Sequence, residues 1–225
     1  MEVLYNIYQN CDNHEITVGI YLDLQKAFDT VKHSILLQKL AIYGVRGTVL
    51  KWFESYLSNT KQYTVLPDYE SELDSVTYGV PQGSVLGPLL FLIYVNDIQN
   101  AISKANIKLF ADDTNLYLHN SDPAQLFVDA NRPTCLAQLS EWFSVNRLSL
   151  NVDKTCYSVF GPSHMDVKGY NLYTNGKIIQ NVECCKYLGI LIDSDLKWQD
   201  HINYLYNKLT KFTSIFYKIR TKLPQ

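Results

Sequence analysis

The sequence has no Cys-x-x-Cys pair, no apolar run long enough to span a membrane and no surplus of basic charge. Its five cysteines, Cys11, Cys135, Cys156, Cys184 and Cys185, have neither zinc-site spacing nor that of a disulfide framework. That usage favours a reducing compartment, so the expected location is intracellular, in cytoplasm or nucleus. Cys184-Cys185 reads as an ordinary strand-end pair. A membrane helix needs about 18 apolar residues, and residues 89–95 are apolar but far fewer. The N-terminus lacks the positive region of a signal peptide. Repeats and low-complexity tracts are absent. Net charge is −2, from 20 Lys and Arg against 22 Asp and Glu. What is present is 225 residues, 47% hydrophobic, enough to bury one substantial core.

Periodicity predicts alternating helices and strands. Val3, Leu4, Ile7, Tyr8 and Cys11 fall at helical spacing. Residues 18–22, Val-Gly-Ile-Tyr-Leu, read as a buried strand. Helices are expected over residues 31–43, ending at Gly44, and 49–57, packing Leu50, Trp52, Phe53 and Tyr56. Residues 62–66 and 76–78 read as strands, and residues 89–97 as an apolar helix. Ser121-Asp122-Pro123 opens a long helix to about residue 146, with Pro133 predicting a kink or break. Residues 157–160 form a strand, and Asn175-Gly176 is a two-residue hairpin turn.

Three carboxylates stand out. Asp112 and Asp113 occupy a tight turn between the strand-like residues 107–110 and 115–118. Two such charges repel by ~4 kcal/mol at 4 Å when the effective dielectric is near 20. A cation or solvent must relieve that repulsion, and either a solvated turn or a Mg²⁺ site fits. Asp23 ends the strand of residues 18–22, where it either caps the next helix or joins the pair. Three converging carboxylates can hold two metal ions about 3.5–4 Å apart, as in-line phosphoryl chemistry requires. Between them, Tyr78-Gly-Val-Pro-Gln-Gly-Ser-Val-Leu-Gly-Pro88 is a Gly- and Pro-rich loop feeding a helix, where backbone can approach a ligand closely.

In order, these segments resemble the motifs of reverse transcriptases. Tyr21-Leu-Asp-Leu-Gln-Lys-Ala-Phe-Asp-Thr-Val-Lys-His33 resembles motif A, Gly79-Val-Pro-Gln-Gly-Ser-Val-Leu-Gly-Pro88 motif B, and Phe110-Ala-Asp-Asp113 motif C. Leu148-Ser-Leu-Asn-Val-Asp-Lys-Thr155 is similar to motif D, and Lys186-Tyr-Leu-Gly-Ile-Leu-Ile-Asp193 to the segment after it. The wording resembles jockey-type non-LTR retrotransposons, and the resemblance runs from about residue 15 to 203. It implies an α+β polymerase palm, a small antiparallel sheet with helices on one face, over residues 1–200. Fingers are expected to be largely missing, and residues 201–225 to form a basic amphipathic helix that starts a thumb or connection. Residues before Asp23 include Glu2, Asp12 and Glu15 but no Lys or Arg. The chain therefore reads as a fragment of a longer polyprotein with an endonuclease, fingers and thumb, and Met1 as an internal methionine. Absent basic fingers would also account for the low net charge, unusual for a polymerase.

The resemblance implies roles residue by residue. Asp23 and Asp112, completed by Asp113 and the Leu24 carbonyl, would hold two Mg²⁺ ions (Mn²⁺ is a possible substitute). One would activate a primer 3′-hydroxyl and the other would neutralise charge on an incoming dNTP. Backbone N–H groups of Lys26, Ala27 and Phe28 would meet the triphosphate, and Phe28 would exclude a 2′-hydroxyl; the alternative is an ordinary core aromatic. Gln82 and Gly83 would contact the nucleotide and template. Lys154 matches the motif D lysine, which would protonate pyrophosphate; the alternative is a solvated surface lysine. Asp29 and His33 are expected to fix the helix after motif A, and Asp97 to end its helix in a polar turn. Lys208, Lys211, Lys218 and Lys222 share one face of the C-terminal helix, either on primer-duplex phosphates or in solvent.

The implied activity is RNA-directed DNA synthesis on an RNA template and DNA primer, poor in the isolated chain. The alternative is a non-catalytic remnant, or a nucleic-acid-binding fragment that lacks fingers.

Overall fold

The structure, a computed structural model, describes residues 2–58, 60–81, 83–102, 105–131, 135–162, 167 and 169–220. Gln82, Pro133 and Lys222 lie outside the described residues. In chain order, α1 (Glu2–Asp12) leads into β1 (Ile16–Leu22), a 3₁₀ turn (Ala27–Asp29), α2 (His33–Ile42) and α3 (Gly47–Leu57). An arm of two-residue strands follows: β2 (Lys61–Gln62), β3 (Val65–Leu66), β4 (Tyr69–Glu70) and β5 (Asp74–Ser75). Next come α4 (Leu86–Val95), a 3₁₀ segment (Asn96–Ala101), and the hairpin of β6 (Asn106–Phe110) and β7 (Asp113–Asn120). Then follow α5 (Pro123–Asn131), α6 (Leu136–Val145), β8 (Cys156–Phe160), β9 (Tyr173–Thr174), β10 (Lys177–Ile178) and β11 (Gln180–Asn181). The chain continues through the hairpin of β12 (Cys184–Tyr187) and β13 (Ile190–Asp193) into α7 (Gln199–Ile219).

Five strands form the central sheet in the order β11-β8-β1-β7-β6, antiparallel except for the parallel β11–β8 pair. β1 is central and every one of its residues is buried. Its alternation sends Ile16, Val18, Ile20 and Leu22 to the larger core, where they join Leu116, Leu118 and Tyr157 beneath helices α2, α4, α5 and α6. Tyr21 faces the opposite way, into a smaller core with Tyr117, Phe160, Cys185 and Ile192, covered by Val3 and Ile7 of α1. Gly19 belongs to that second face because a Cβ there would stand 3.1 Å from the Tyr117 ring and 3.2 Å from the Phe160 ring.

The expected palm is therefore present, with most helices on one face and α1 plus the β12–β13 hairpin added on the other. Several expected boundaries move. The helix expected over residues 123–146 with a kink or break is indeed broken, into α5 and α6. The expected strand at 76–78 is absent; Val76 instead donates to the Thr60 carbonyl at 2.8 Å and Tyr78 forms an isolated bridge to Lys32. The loop helix begins at Leu86 rather than 89, because Pro88 falls in its first turn, where a missing N–H costs nothing. The Asn175-Gly176 turn forms as expected, with positive φ at both residues (50° and 75°). Among the described residues no helix is long and apolar enough to cross a membrane.

A candidate polymerase site at the end of the sheet

Asp23 and Asp113 are brought together by strand register. Leu22, the last residue of β1, pairs with Thr114, so the register carries the following residue, Asp23, toward the first residue of β7, Asp113. Both continue the face that carries Tyr21 and Tyr117. The β6–β7 turn is as tight as a hairpin allows: Phe110 pairs with Asp113, leaving only Ala111 and Asp112 as the loop. Ala111 sits at φ 53°, a left-handed conformation that costs an alanine roughly 1–2 kcal/mol. Such strain is retained where the surroundings over-determine it, and it is concentrated at functional sites.

The electrostatics follow the geometry. The Asp113 carboxyl is held above its ordinary value of 3.8, first by burial and then by the negative charges of Asp112 and Asp23, with Lys186 opposing. Lys186 comes from the β12–β13 hairpin, so that hairpin brings the nearest opposing charge. Among the described residues no group of three His, Cys, Asp or Glu side chains is placed to hold a metal ion. Asp112 and Asp23 each lie near enough to act on the Asp113 charge, but the three carboxylates do not form a ligand set. Asn115 Nδ2 and the Tyr21 and Tyr117 hydroxyls are buried on this face without a hydrogen-bond partner.

Asp23 is anchored from the motif D side. Asn151 N–H donates to the Asp23 carbonyl at 2.8 Å, and Gln25 N–H to the Ser149 carbonyl at 2.8 Å. Thr155, fully buried, accepts from Asp23 N–H at 3.4 Å and donates to the Asn151 carbonyl at 2.8 Å. These bonds flank the Leu24–Leu150 bridge, so the Leu24 carbonyl stays outside this short ladder. Lys154 is exposed and lines a cleft of about 350 Å³ with Asp23, Leu24, Gln25, Lys26 and Asn151. The sequence brings motif D to motif A, and the structure adds Thr155 as the side chain that joins them.

Lys26 takes φ 46° and opens the 3₁₀ turn, which closes through Asp29 and Thr30 N–H groups onto the Lys26 carbonyl. Ala27 is buried. Phe28 is half-buried, its ring 4.7 Å from that of Phe91 in α4 and tilted by 34°. The motif B loop is stitched to this turn: Val80 N–H donates to the Phe28 carbonyl at 2.9 Å and Gly79 N–H to the Val31 carbonyl at 2.8 Å. His33 Nε2 lies 2.7 Å from the Gly79 carbonyl. His33 thus ties the loop, and not only the helix it begins. Gly83 is exposed, at φ 81°. Asp97 does more than end a helix: its Oδ1 takes the buried Lys39 ammonium at 2.6 Å, which also donates to the Tyr94 carbonyl at 2.6 Å. Lys39 itself was hidden from sequence reasoning, because a lysine on an amphipathic helix reads as surface.

Lys208, Lys211 and Lys218 lie on α7, whose described residues from Ile202 onward are exposed. Its start is fixed by Asp193, whose carboxylate accepts the N–H groups of Lys197 and Trp198 at 2.7 and 2.6 Å. Trp198 Nε1 then donates to the Tyr8 hydroxyl at 2.9 Å, joining α7 to α1. The Cys185 thiol is pushed up to about 11 by burial, which keeps it protonated and unreactive, as expected of a structural pair.

An antiparallel sheet backed by helices, with carboxylates at the ends of adjacent strands and a glycine-rich loop beside them, defines a polymerase palm. The reverse transcriptase (RNA-dependent DNA polymerase) family model matches residues 3–192, and the chain belongs to that family. Its relatives are those the motif wording indicated. The chain is 29% identical, over 85% of its length, to the "RNA-directed DNA polymerase from mobile element jockey" of Drosophila melanogaster. It is 30% identical, over 88% of its length, to the "Probable RNA-directed DNA polymerase from transposon BS" of the same species. The chain spans about a fifth of the length of these relatives (21% and 22%). Among solved structures, telomerase from Candida tropicalis, in complex with a fragment of telomeric RNA, matches with TM-score 0.57 at 11% identity. The match covers 88% of this chain and 32% of that one. Telomerase from Candida albicans matches with TM-score 0.56 at 12% identity, covering 87% and 33%. These likenesses show a shared fold.

Proposed function

We propose that this chain is the palm of an RNA-directed DNA polymerase that adds deoxynucleotides to a DNA primer on an RNA template. The observation that carries the reading is the convergence of Asp23 and Asp113 across the β1–β7 register, with Asp112 in the strained turn between β6 and β7. The donors fit Mg²⁺: three carboxylates and the Leu24 carbonyl are all hard oxygen ligands, and burial, with the Asp112 and Asp23 charges, already raises Asp113. When bound, paired Mg²⁺ would lower the pKa of a primer hydroxyl and offset charge on the triphosphate.

The chain's own groups do the remaining work. N–H groups at the opening of the 3₁₀ turn, Lys26 to Phe28, lie where phosphate oxygens would be received, since the first N–H groups of a helical turn have no internal partner. Phe28 screens the sugar. Gly83, with Gln82, would let the template strand approach. Lys154, in the cleft with Asp23, is the candidate proton donor to the leaving pyrophosphate. Residues 1–200 form the catalytic unit and α7 begins a nucleic-acid-binding element, its lysines toward the primer duplex. Work of this kind belongs in a reducing cytoplasm or nucleus, alongside other domains of a polyprotein.

The test is RNA-templated primer extension with Mg²⁺ and dNTPs. No Lys or Arg precedes Lys26, and each missing hydrogen bond to a charged phosphate costs roughly 1.5–3 kcal/mol. At 1.36 kcal/mol per decade, two or three losses remove several powers of ten in rate. The isolated chain is expected to extend little. Placed in the corresponding segment of the jockey polymerase, it is expected to extend a DNA primer on an RNA template, and Asp112→Ala to abolish that. Extension that survives Asp112→Ala would refute the proposal.

A further inference from the structure

We infer that Phe91, which lies beneath the nucleotide site without reaching it, sets sugar selectivity by holding the Phe28 ring in place. The inference rests on the reading of Phe28 as the sugar filter. A filter that rejects one hydroxyl oxygen works only if its ring stays fixed; functional constellations need positions held within about 0.5 Å by packing. Phe28 is half-buried on a three-residue turn, so its turn alone gives the ring little lateral support. Its backbone is fixed by the Val80 N–H bond to its carbonyl at 2.9 Å. The support found for the ring is Phe91, 4.7 Å away and tilted by 34°. Phe91 is wholly buried in α4, within the main core alongside Leu36, Leu40 and Leu90, so it cannot retreat. Phe91 is therefore a positioning residue that acts through Phe28.

Replacing Phe91 by Leu keeps the site apolar and helical but removes the flat surface on which Phe28 rests. The Phe28 ring would then settle toward the vacated space, away from the sugar. Because a misplacement of about 1 Å can cost 10²-fold in a positioned site, selectivity should fall by roughly ten- to a hundredfold.

The experiment measures incorporation of dCTP against CTP on an RNA template with Mg²⁺ by the chain placed in the corresponding segment of the jockey polymerase, and follows the Phe28 ring signals of the 225-residue chain by NMR. The dCTP-to-CTP incorporation ratio is expected to collapse in both Phe28→Val and Phe91→Leu. The Phe28 ring resonances should shift in Phe91→Leu. Leu126→Ala, which opens the same core beneath α5, an element packed on β7 and α6, should lose stability yet keep the wild-type ratio and ring signals. A wild type that incorporates both sugars equally or neither, or a Phe28→Val variant with the wild-type ratio, overturns the reading of Phe28 and this inference with it. Loss of selectivity in Phe28→Val but not in Phe91→Leu, or unmoved Phe28 signals in Phe91→Leu, overturns this inference alone. A ratio that falls equally in Leu126→Ala also overturns it, since general loosening would then suffice.

Discussion

Gly79→Ala probes the contact between the motif B loop and the turn that carries Phe28. A Cβ at Gly79 would stand 3.1 Å from the Asp29 carbonyl oxygen, 3.2 Å from its Cα and 3.4 Å from its carbonyl carbon. All three are backbone atoms, and the segment cannot yield freely because Val31 and Phe28 carbonyls are tied to Gly79 and Val80 N–H groups at 2.8 and 2.9 Å. Gly79 also has φ 87°, which costs a substituted side chain about 1–2 kcal/mol. Crowding a packed site typically adds about 1–3 kcal/mol. The expected loss is about 2–5 kcal/mol, or roughly 4–20 °C in melting temperature at about 2–4 °C per kcal/mol for a chain of this length. Gly44→Ala is the comparator: its φ is 93° but nothing lies within 4 Å of the added Cβ, so only the backbone cost applies. Urea and thermal unfolding of the two variants isolate the crowding. If Gly79→Ala is no more destabilising than Gly44→Ala, the loop does not press on the Phe28 turn.

Two other perturbations test separate parts of the account. Asp113 holds its proton more tightly folded than unfolded, so wild-type stability falls as pH rises from about 3.8 through the raised folded value. Asp113→Asn should therefore be more stable than wild type at pH 7, with the advantage gone at pH 3.5, as read from urea midpoints; an advantage independent of pH would show that the charge of Asp113 is not its source. Lys39→Met removes the ammonium between Asp97 and the Tyr94 carbonyl and its stacking on the Trp142 ring at 4.9 Å. Breaking a buried pair costs about 3–5 kcal/mol, and partial exposure of Asp97 lowers the expectation to about 2–3 kcal/mol. The double variant Lys39→Met with Asp97→Leu should recover part of that loss in the same unfolding assay.

Legibility in the sequence followed how local each feature is. The buried run at residues 18–22 and the Asn175-Gly176 turn were readable because strand periodicity and positive φ at both turn residues are local properties. Asp23, Asp112 and Asp113 were named together from motif order alone; what the fold adds is the register that ends at Leu22–Thr114 and brings the ends of β1 and β7 side by side. Contacts made by tertiary approach were not readable. Gly79 looks like any loop glycine until Asp29 is packed against it. Lys39 occupies an ordinary helix position until α4 and α6 close around its ammonium, and Phe91 is one apolar residue in an apolar helix until Phe28 lies on it. The second face of the sheet was missed because α1 and the β12–β13 hairpin, far apart in sequence, cover it together.

The most direct test of the central claim, that carboxylates of β1 and the β6–β7 turn serve one metal site, is a Mn²⁺ titration of the 225-residue chain followed by paramagnetic broadening of its amide signals. The account predicts early, joint broadening at residues 22–24 and 111–113, lost together in Asp23→Asn or Asp112→Asn. Broadening at one segment without the other, or unchanged in both variants, would contradict it.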